Sequence, residues 1–425
     1  MALSINQIAE CLGISLKAVR RHVASGQLPS TKKGSTYSIE ENDFLDFQQR
    51  LNDGRIIAPA AQLDQRAHSA DARSRKAPRK TQKKADDVHW VDISDYWAAP
   101  PQSAMTFVDL FCGCGGLSKG LEMSGIEGIC GLDFFKEAGD TYQRNFNHPF
   151  VFGDITLDEN KRRFYATVAE RLAGRELDIV AGGFPCQGFS MSGNRIADDP
   201  RNSLYRELLE IVRNLRPRFV ICENVKGLRS MLNGEVERKI LSDFQEIGYH
   251  MNVTTLCAAD YHTPQKRERV IFIGNRIGVR NFHPRPMLVP GEYVTTGQAI
   301  GDLMNHPTDE AFNHVPTNHR PDMARRMMEL EEGKSLYKGY SDAWKKCPWD
   351  EASCTIKENH GGVNIHPRLP RVLTAREMAR LQSFPDDFIF MGKKNKQLVQ
   401  IGNAVPPLLG KAIGLSVRYS NGELR

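Results

Sequence analysis

From Met105 onward, short apolar runs alternate with amphipathic stretches, and this alternation limits the architectures open to the chain. Met105 to Phe111, Ile126 to Leu132, Asp178 to Gly182, Phe219 to Glu223 and Val270 to Ile273 read as buried strands. Amphipathic segments such as Leu204 to Leu215 lie between them and read as helices. The pattern predicts an α/β fold, a mostly parallel sheet with helices on both faces. Ligands on such sheets sit at the carboxyl ends of the strands. The chemistry is therefore expected in the residues that follow each apolar run.

Unusual residues cluster there. The first run ends in Asp109-Leu-Phe-Cys-Gly-Cys-Gly-Gly-Leu-Ser118, an acid followed by a Gly-rich turn that opens a helix. Glycines at Gly113 and Gly115 let a ligand approach the backbone closely. The second run ends at Asp133, placed to bind ribose hydroxyls, and Phe134 can stack on a purine. The third ends in Gly153-Asp-Ile-Thr156 and adds Asp154. Together these predict an adenosine-containing ligand, and they leave NAD and S-adenosylmethionine both open. The absence of a full G-x-G-x-x-G counts against NAD. Cys112 and Cys114 read as small apolar fillers, because no second Cys or His pair has zinc-ligand spacing.

A second group carries reactive chemistry. Leu177-Asp-Ile-Val-Ala-Gly-Gly-Phe-Pro-Cys-Gln-Gly-Phe-Ser190 puts Cys186 directly after a strand and behind Pro185, with a Gly-, Ser- and Asn-bearing lid from Gln187 to Ser203. A thiol at a core strand end below a loop is a nucleophile candidate, against the plainer reading of buried filler. Phe219-Val-Ile-Cys-Glu-Asn-Val225 ends in Glu223. Gln265-Lys-Arg-Glu-Arg269 places Arg267 and Arg269 at the start of a strand. Gln400-Ile-Gly-Asn-Ala-Val-Pro-Pro407 is expected to start a C-terminal helix, with prolines near its first turn.

In this order, the Phe111 turn, PCQGFS, ENV, QKRER and QIGNAVPP resemble the successive motifs of DNA (cytosine carbon-5) methyltransferases, of the type II restriction-modification or orphan kind. The resemblance covers about Thr106 to Ser420. It implies a Rossmann-like S-adenosylmethionine-dependent methyltransferase domain, a small target-recognition domain and a DNA cleft between them. It implies Cys186 as nucleophile on carbon-6 of cytosine, and Glu223 as the hydrogen-bonding partner of ring nitrogen-3 and the exocyclic amine. Arg269 would hold the ring carbonyl, and Arg267 would support the strand and the neighbours of Cys186. No metal is required. Asp109, Phe111, Gly113, Gly115, Asp133, Phe134, Asp154, Pro185 and Asn403 would form the S-adenosyl-L-methionine pocket, with Asp133 where the family usually has Glu and Phe134 where it often has Trp. A cytosine inside a duplex is out of reach, so the base must flip out. Gln187 and Ser192 would then fill the vacated stack or touch the backbone.

The first fifty residues read differently. Ser4 is expected to cap a helix from about Ile5 to Leu12, and Ser15 a second one to about Ser25. Leu16, Val19 and Val23 would face inward, with Lys17, Arg20, Arg21 and His22 outward. Thr31 to Ile39 reads as a hairpin with Lys32, Lys33 and Gly34 at its tip, and Glu40 to Leu51 as a third helix. This resembles the winged helix-turn-helix heads of MerR-like regulators and phage excisionases. Lys17, Arg20 and Arg21 are its expected DNA contacts; a small helical domain for protein contacts is the competing reading.

Charge sharpens the division. The chain holds 57 Lys+Arg and 51 Asp+Glu, a net +6. Residues 1–100 carry 15 basic and 12 acidic residues, and Arg73 to Lys84 holds seven basic residues in twelve. The flanking sequence is poor in large apolar side chains and reads as a mobile linker. The basic run is either a solvated tail or a phosphate-binding tether. The expected domains are a head (1–52), a flexible basic linker (53–100), a catalytic domain (104–275), a target-recognition domain (276–390) and a return to the catalytic domain (391–425). The segment from Arg276 to His366 holds six of twelve histidines, expected to be solvent-exposed. Nine scattered cysteines, no signal-like start and no long apolar window point to a reducing cytoplasm and no membrane span, and the resemblance implies a bacterial, nucleoid-associated protein. The expected partners are double-stranded DNA and, in a restriction-modification setting, a cognate endonuclease, with the chain a monomer. A DNA-binding regulator and an RNA methyltransferase of the same fold are the alternative functions.

Overall fold

The computed structural model describes residues 2–4, 8, 19, 22–23, 28–33, 36–52, 88–185, 203–337, 344–357 and 363–424. The chain divides into two compact units, Met1–Lys83 and Lys84–Arg425.

In the first unit, β1 (Ala2–Ser4), β2 (Thr31–Lys33) and β3 (Thr36–Glu40) form an antiparallel sheet in the order β1-β3-β2, followed by α1 (Glu41–Asn52). Ile8, Val19, Leu28, Ile39, Phe44 and Phe47 form its core. Ser4 pairs with Ser38 at the end of β1, and the helix expected after it falls largely outside the described residues. His22 does not face outward. It is buried and meets the Phe47 ring edge-on at 5.0 Å, because positions 19, 22 and 23 lie three and four apart and share one helix face. Lys32 and Lys33 lie in β2 itself, paired with Tyr37 and Thr36, and not at the hairpin tip. Lys17, Arg20 and Arg21 lie outside the described residues.

The second unit begins with β4 (His89–Val91), which pairs parallel with β12 (Phe282–Pro284). Val91 and Ile93 are buried in the main core. Residues 88–100 are therefore part of the catalytic unit and correct the linker range of 53–100; residues 53–87 lie outside the described residues. The sheet holds β5 (Thr106–Leu110), β6 (Glu127–Asp133), β7 (Phe150–Phe152), β8 (Ile179–Gly182), β9 (Phe219–Val225), β10 (His250–Cys257) and β11 (Glu268–Asn275), in the order β10-β11-β9-β8-β5-β6-β7. The five strands from β9 to β7 are parallel. β11 runs antiparallel to both of its neighbours.

The helices are α2 (Gly116–Met123), α3 (Lys136–Asn145), α4 (Asp158–Leu172), α5 (Ser203–Leu215), α6 (Glu235–Glu246), α7 (Thr296–Ile300), α8 (Pro321–Glu329), α9 (Ala375–Leu381), α10 (Lys394–Asn403) and α11 (Pro407–Ser420). Strand side chains alternate between the two sheet faces. Val108, Val180, Val220, Val270 and Phe272 pack with α4, α5 and α6. Phe107, Ile179, Ile221, Ile271 and Ile273 pack with α2 and α11. Both faces are thus covered, which is why the central strands are apolar at nearly every position. On the second face α2 and α11 approach through glycines: a Cβ on Gly120 would come 2.5 Å from the Gly410 Cα.

A third cluster joins Cys112, Cys114, Tyr142 and Phe146 to Ile300, Met327, Ile356, Ile365, Met378 and Phe388. The region expected to recognise the target is rooted there. Its start moves from 276 to beyond Met287, because Ile277, Val279, Phe282 and Met287 pack on the main core and Phe282 meets Tyr419 edge-on. Of the six histidines between Arg276 and His366, three, His283, His314 and His366, are buried rather than exposed. Burial pushes the His283 and His366 rings down to about 4. Arg376 is fully buried, donating to the carbonyls of Phe312, Pro385 and Phe388 with its guanidinium over the Phe312 ring. Gln400 to Asn403 close α10 instead of starting the last helix, which begins at Pro407 as its first residue. Among the described residues, no helix is long and apolar enough to cross a membrane.

Candidate active site

The carboxyl ends of β5, β6, β7, β8 and β9 face one edge of the sheet. Antiparallel β11 begins at that same edge, because its first residues pair with the last residues of β9: Arg269 with Val225, Ile271 with Glu223. Glu223 and Arg269 are diagonal neighbours on one face, within reach of long side chains. They meet in an ion pair, Arg269 Nε to Glu223 Oε1, at 2.7 Å, with both side chains largely buried. A second Arg269 donor, Nη1, binds the Glu268 carbonyl at 2.8 Å.

β8 leads into the same place. A Cβ built on Gly183 would come 3.1 Å from Glu223 Oε2, so the absence of a side chain lets the strand end pass close to the carboxylate. Asn224 is buried, and its Nδ2 donates to the Phe184 carbonyl at 2.9 Å while its Oδ1 accepts from the Val225 amide. This anchors the backbone two residues before Cys186. Pro185 is exposed beside it. Cys186, Gln187 and Ser192 lie outside the described residues, as does the expected lid.

Arg267 points elsewhere. It is buried and donates to the carbonyls of Ile356 (3.0 Å), Gly402 (3.0 Å) and Ala404 (3.1 Å). Burial, with Arg269 nearby, holds its pKa below the usual guanidinium range. All three acceptors are backbone groups of other segments, so Arg267 ties pieces of the protein together and does not line the edge beside Glu223.

The Gly-rich turn sits at the end of β5. Phe111, Gly113 and Gly115 all have positive φ (57°, 54° and 92°). Gly113 has nothing within 4 Å of a built Cβ, whereas Gly115 is packed against Phe146 and Tyr142. Gly113 is therefore the position open to a ligand and Gly115 the one that packs the turn. Asp133 accepts from the Gly113 and Phe135 amides, both at 2.8 Å, and burial raises its pKa. Its carboxylate staples the turn to the end of β6, a role its spacing alone does not reveal. Phe134 is 68% exposed, a ring without a cover. Phe152, which pairs with Asp133 across β6–β7, is also exposed, as is Leu157. These two apolar neighbours escape a motif-based reading; the only signal for Phe152 is the apolar run before Gly153. Asp154 is exposed, with one oxygen accepting from the Thr156 amide and hydroxyl, and Asn403 is exposed at the end of α10. An open glycine, an uncovered aromatic and carboxylates at two adjacent strand ends fit an adenosyl group carrying ribose hydroxyls and an amine.

Asp109 lies beneath the turn, accepting from Ser118 Oγ at 2.6 Å. Burial raises its carboxyl to about 7, with the Ser118 bond opposing and the nearby Asp133 and Glu223 reinforcing the shift. Cys112 and Cys114 are buried, and burial raises the Cys114 thiol to about 12. They occupy the third apolar cluster as small fillers.

Comparison with known proteins shows the family and the fold. The family pattern of C-5 cytosine-specific DNA methylase matches residues 105–418, and that of a helix-turn-helix domain matches residues 2–52. The Type II methyltransferase M1.HphI of Haemophilus parahaemolyticus is 37% identical over 336 residues, spanning 75% of this chain and 88% of the relative. The Type II methyltransferase M.DdeI of Desulfomicrobium norvegicum is 32% identical over 384 residues, spanning 74% and 89%. A prophage-encoded E. coli protein, described as a candidate DNA modification methyltransferase, shares the fold. It has a TM-score of 0.61 at 24% identity and covers 75% of this chain and 100% of its own.

Proposed function

Since the chain belongs to the C-5 cytosine-specific DNA methylases and is a DNA cytosine-5-methyltransferase with a helix-turn-helix domain at its N-terminus, we propose that it methylates a flipped-out cytosine in duplex DNA through a covalent adduct on Cys186. The Glu223–Arg269 pair carries this reading. It puts an acceptor and a donor side by side at the strand edge where Pro185 leads into Cys186.

S-adenosyl-L-methionine, when bound, supplies an electrophilic methyl group. Phe111, Gly113, Gly115, Asp133, Phe134, Asp154, Pro185 and Asn403 would hold it, over Asp109. The thiolate of Cys186 adds to carbon-6 of the ring, and the displaced electron pair makes carbon-5 nucleophilic. Glu223, protonated at least transiently, donates to ring nitrogen-3 and accepts from the exocyclic amine. Arg269 donates to the ring carbonyl and offsets the charge that develops there. After methyl transfer, loss of the carbon-5 proton and departure of the Cys186 thiolate restore the aromatic ring. Gln187 and Ser192 contact the DNA around the vacated stack, and Arg267 supports the site from behind.

The head, residues 1–52, adds DNA binding through Lys17, Arg20 and Arg21, with autoregulation of transcription as its further use. The Type II relatives support a restriction-modification setting with a partner endonuclease. Bisulfite sequencing of DNA from cells producing this chain tests activity and reads the target together. Wild type should leave protected cytosines in one sequence context. Cys186→Ala should leave none, and protection by that variant at the wild-type level would sink the adduct mechanism.

A further inference from the structure

Two buried glutamines outside the roles above form a continuous polar link. Gln265 and Gln382 are both fully buried. The Ile356 amide donates to Gln265 Oε1 at 2.8 Å. Gln265 Nε2 donates to Gln382 Oε1 at 2.8 Å and to the Leu381 carbonyl at 3.1 Å. Gln382 Nε2 donates to the Ile401 carbonyl at 2.7 Å. Arg267 runs parallel to this chain, from the Ile356 carbonyl to those of Gly402 and Ala404.

The two ends of the link belong to different parts of the protein. Ile356 sits in the 353–356 loop, which docks on the residues before β11: the Lys266 amide donates to the Ser353 carbonyl at 2.9 Å, and Thr355 Oγ1 to the Lys266 carbonyl at 3.0 Å. Ile401 to Val405 sit against the Gly-rich turn. Cys114 Sγ donates to the Gln400 carbonyl, and a Cβ on Gly116 would collide with the Val405 carbonyl oxygen. The loop of the target-recognition region is thus joined to the cofactor turn through two buried glutamine amides that satisfy each other and the backbone. Such networks switch as units, because a half-made one leaves costly unpaired groups.

We propose that Gln265 and Gln382 are positioning residues that couple docking of the 353–356 loop to occupancy of the cofactor turn. The proposal rests on the cofactor reading given above. Filling the turn fixes Ile401–Val405, which holds Gln382 Nε2, then Gln265, then the Ile356 amide. By linkage, whatever holds the loop tightens the cofactor by the same factor.

Hydrogen exchange on the full chain, with and without S-adenosyl-L-homocysteine, tests this. In the wild type, the bound ligand should slow exchange at the Ile356 amide by about tenfold, within the ordinary range of coupling between sites. Gln382→Met keeps the side-chain volume but removes the amide, and Gln265→Glu keeps the acceptor for Ile356 but removes the donor to Gln382. Either variant, folded by its thermal transition and shown calorimetrically to bind the ligand, should lose the response at Ile356. A role in stability alone would lower protection with and without ligand and leave their ratio unchanged. Ligand-bound wild type with unchanged Ile356 exchange overturns the coupling, even if neither variant folds. So does a variant with the wild-type ratio. Failure of wild type to bind the ligand at all would instead overturn the cofactor reading.

Discussion

Arg269 pairs with Glu223 at 2.7 Å, and it reaches that carboxylate because β11 runs antiparallel to β9. Arg269 lies diagonal to Glu223 in the ladder, two residues before Ile271, the direct partner of Glu223. A parallel β11 would have carried its first residues to the opposite edge of the sheet.

The two arginines of QKRER should therefore fail differently when removed. Arg269→Ala should lower kcat about 10²–10³-fold, as removal of a charge-stabilising donor does, with a small change in thermal unfolding. Arg267→Ala takes the guanidinium donor from three backbone carbonyls, each costing roughly 1–3 kcal/mol when left unsatisfied in the interior. Its first effect should be a large drop in unfolding temperature. Steady-state rates and calorimetry on both variants decide this, and an Arg267→Ala protein that unfolds at the wild-type temperature would contradict it.

Asp109 predicts a pH dependence of stability. Its folded pKa is raised from 3.8 to about 7 by burial, so between those values the folded state holds a proton that the unfolded state has released. Stability then falls as pH rises through this window, by at most about 1.4 kcal/mol per pH unit, and stays lowered above it. Asp109→Asn removes the titration. The unfolding temperature of wild type minus that of the variant should decrease from pH 4 to pH 7 and then level off. A flat difference across that window would refute the assignment.

Neighbouring glycines of the turn should separate binding from folding. Gly113→Ala places a methyl in open space at φ +54°, with a backbone cost of roughly 1–2 kcal/mol. Its larger effect should be weaker S-adenosyl-L-homocysteine binding. Gly116→Ala meets the Val405 backbone and should cost about 1–3 kcal/mol of stability by overpacking. Calorimetric affinities alongside unfolding curves distinguish the two, and equal reductions of affinity at equal stability would reject the division.

Removing residues 1–83 should leave the catalytic unit's cooperative unfolding intact, since among the described residues its three apolar clusters contain none from the first unit. The truncation also deletes the head and six of the seven basic residues between Arg73 and Lys84. If these residues bind phosphates, the dependence of log affinity for duplex DNA on log salt should become shallower by about 0.9 for every phosphate they neutralise. An unchanged slope would assign the basic run to solvent.

Much of the site was legible because its chemistry sits in short contiguous motifs after apolar runs. Asp133 ends its strand and Asp154 follows one, as the run boundaries imply, while Asp109 and Glu223 lie just inside the carboxyl ends of β5 and β9, which run on to Leu110 and Val225. The misreadings have physical causes. β10, an edge strand with polar residues at His250, Asn252, Thr254 and Thr255, carries no continuous apolar run. His22, His283, His314 and His366 are polar by type and buried by position, which no local pattern encodes.

The sequence by itself determined the strand–helix alternation, the family and the candidates for the reactive groups, because those depend on local periodicity and on residues adjacent in the chain. Only the tertiary structure decided which groups face one another. Arg267 and Arg269 stand two residues apart, a spacing that would put both on one face of a strand. Arg267, however, precedes the first residue of β11, so the ladder does not set its direction. It ties segments together, and Arg269 alone pairs with Glu223. The fold also joined Gln265 to Gln382 across 117 positions of sequence, and it made Asp133 a staple for Gly113. Contacts between distant segments depend on sheet order and strand direction, and these follow from burying both sheet faces at once.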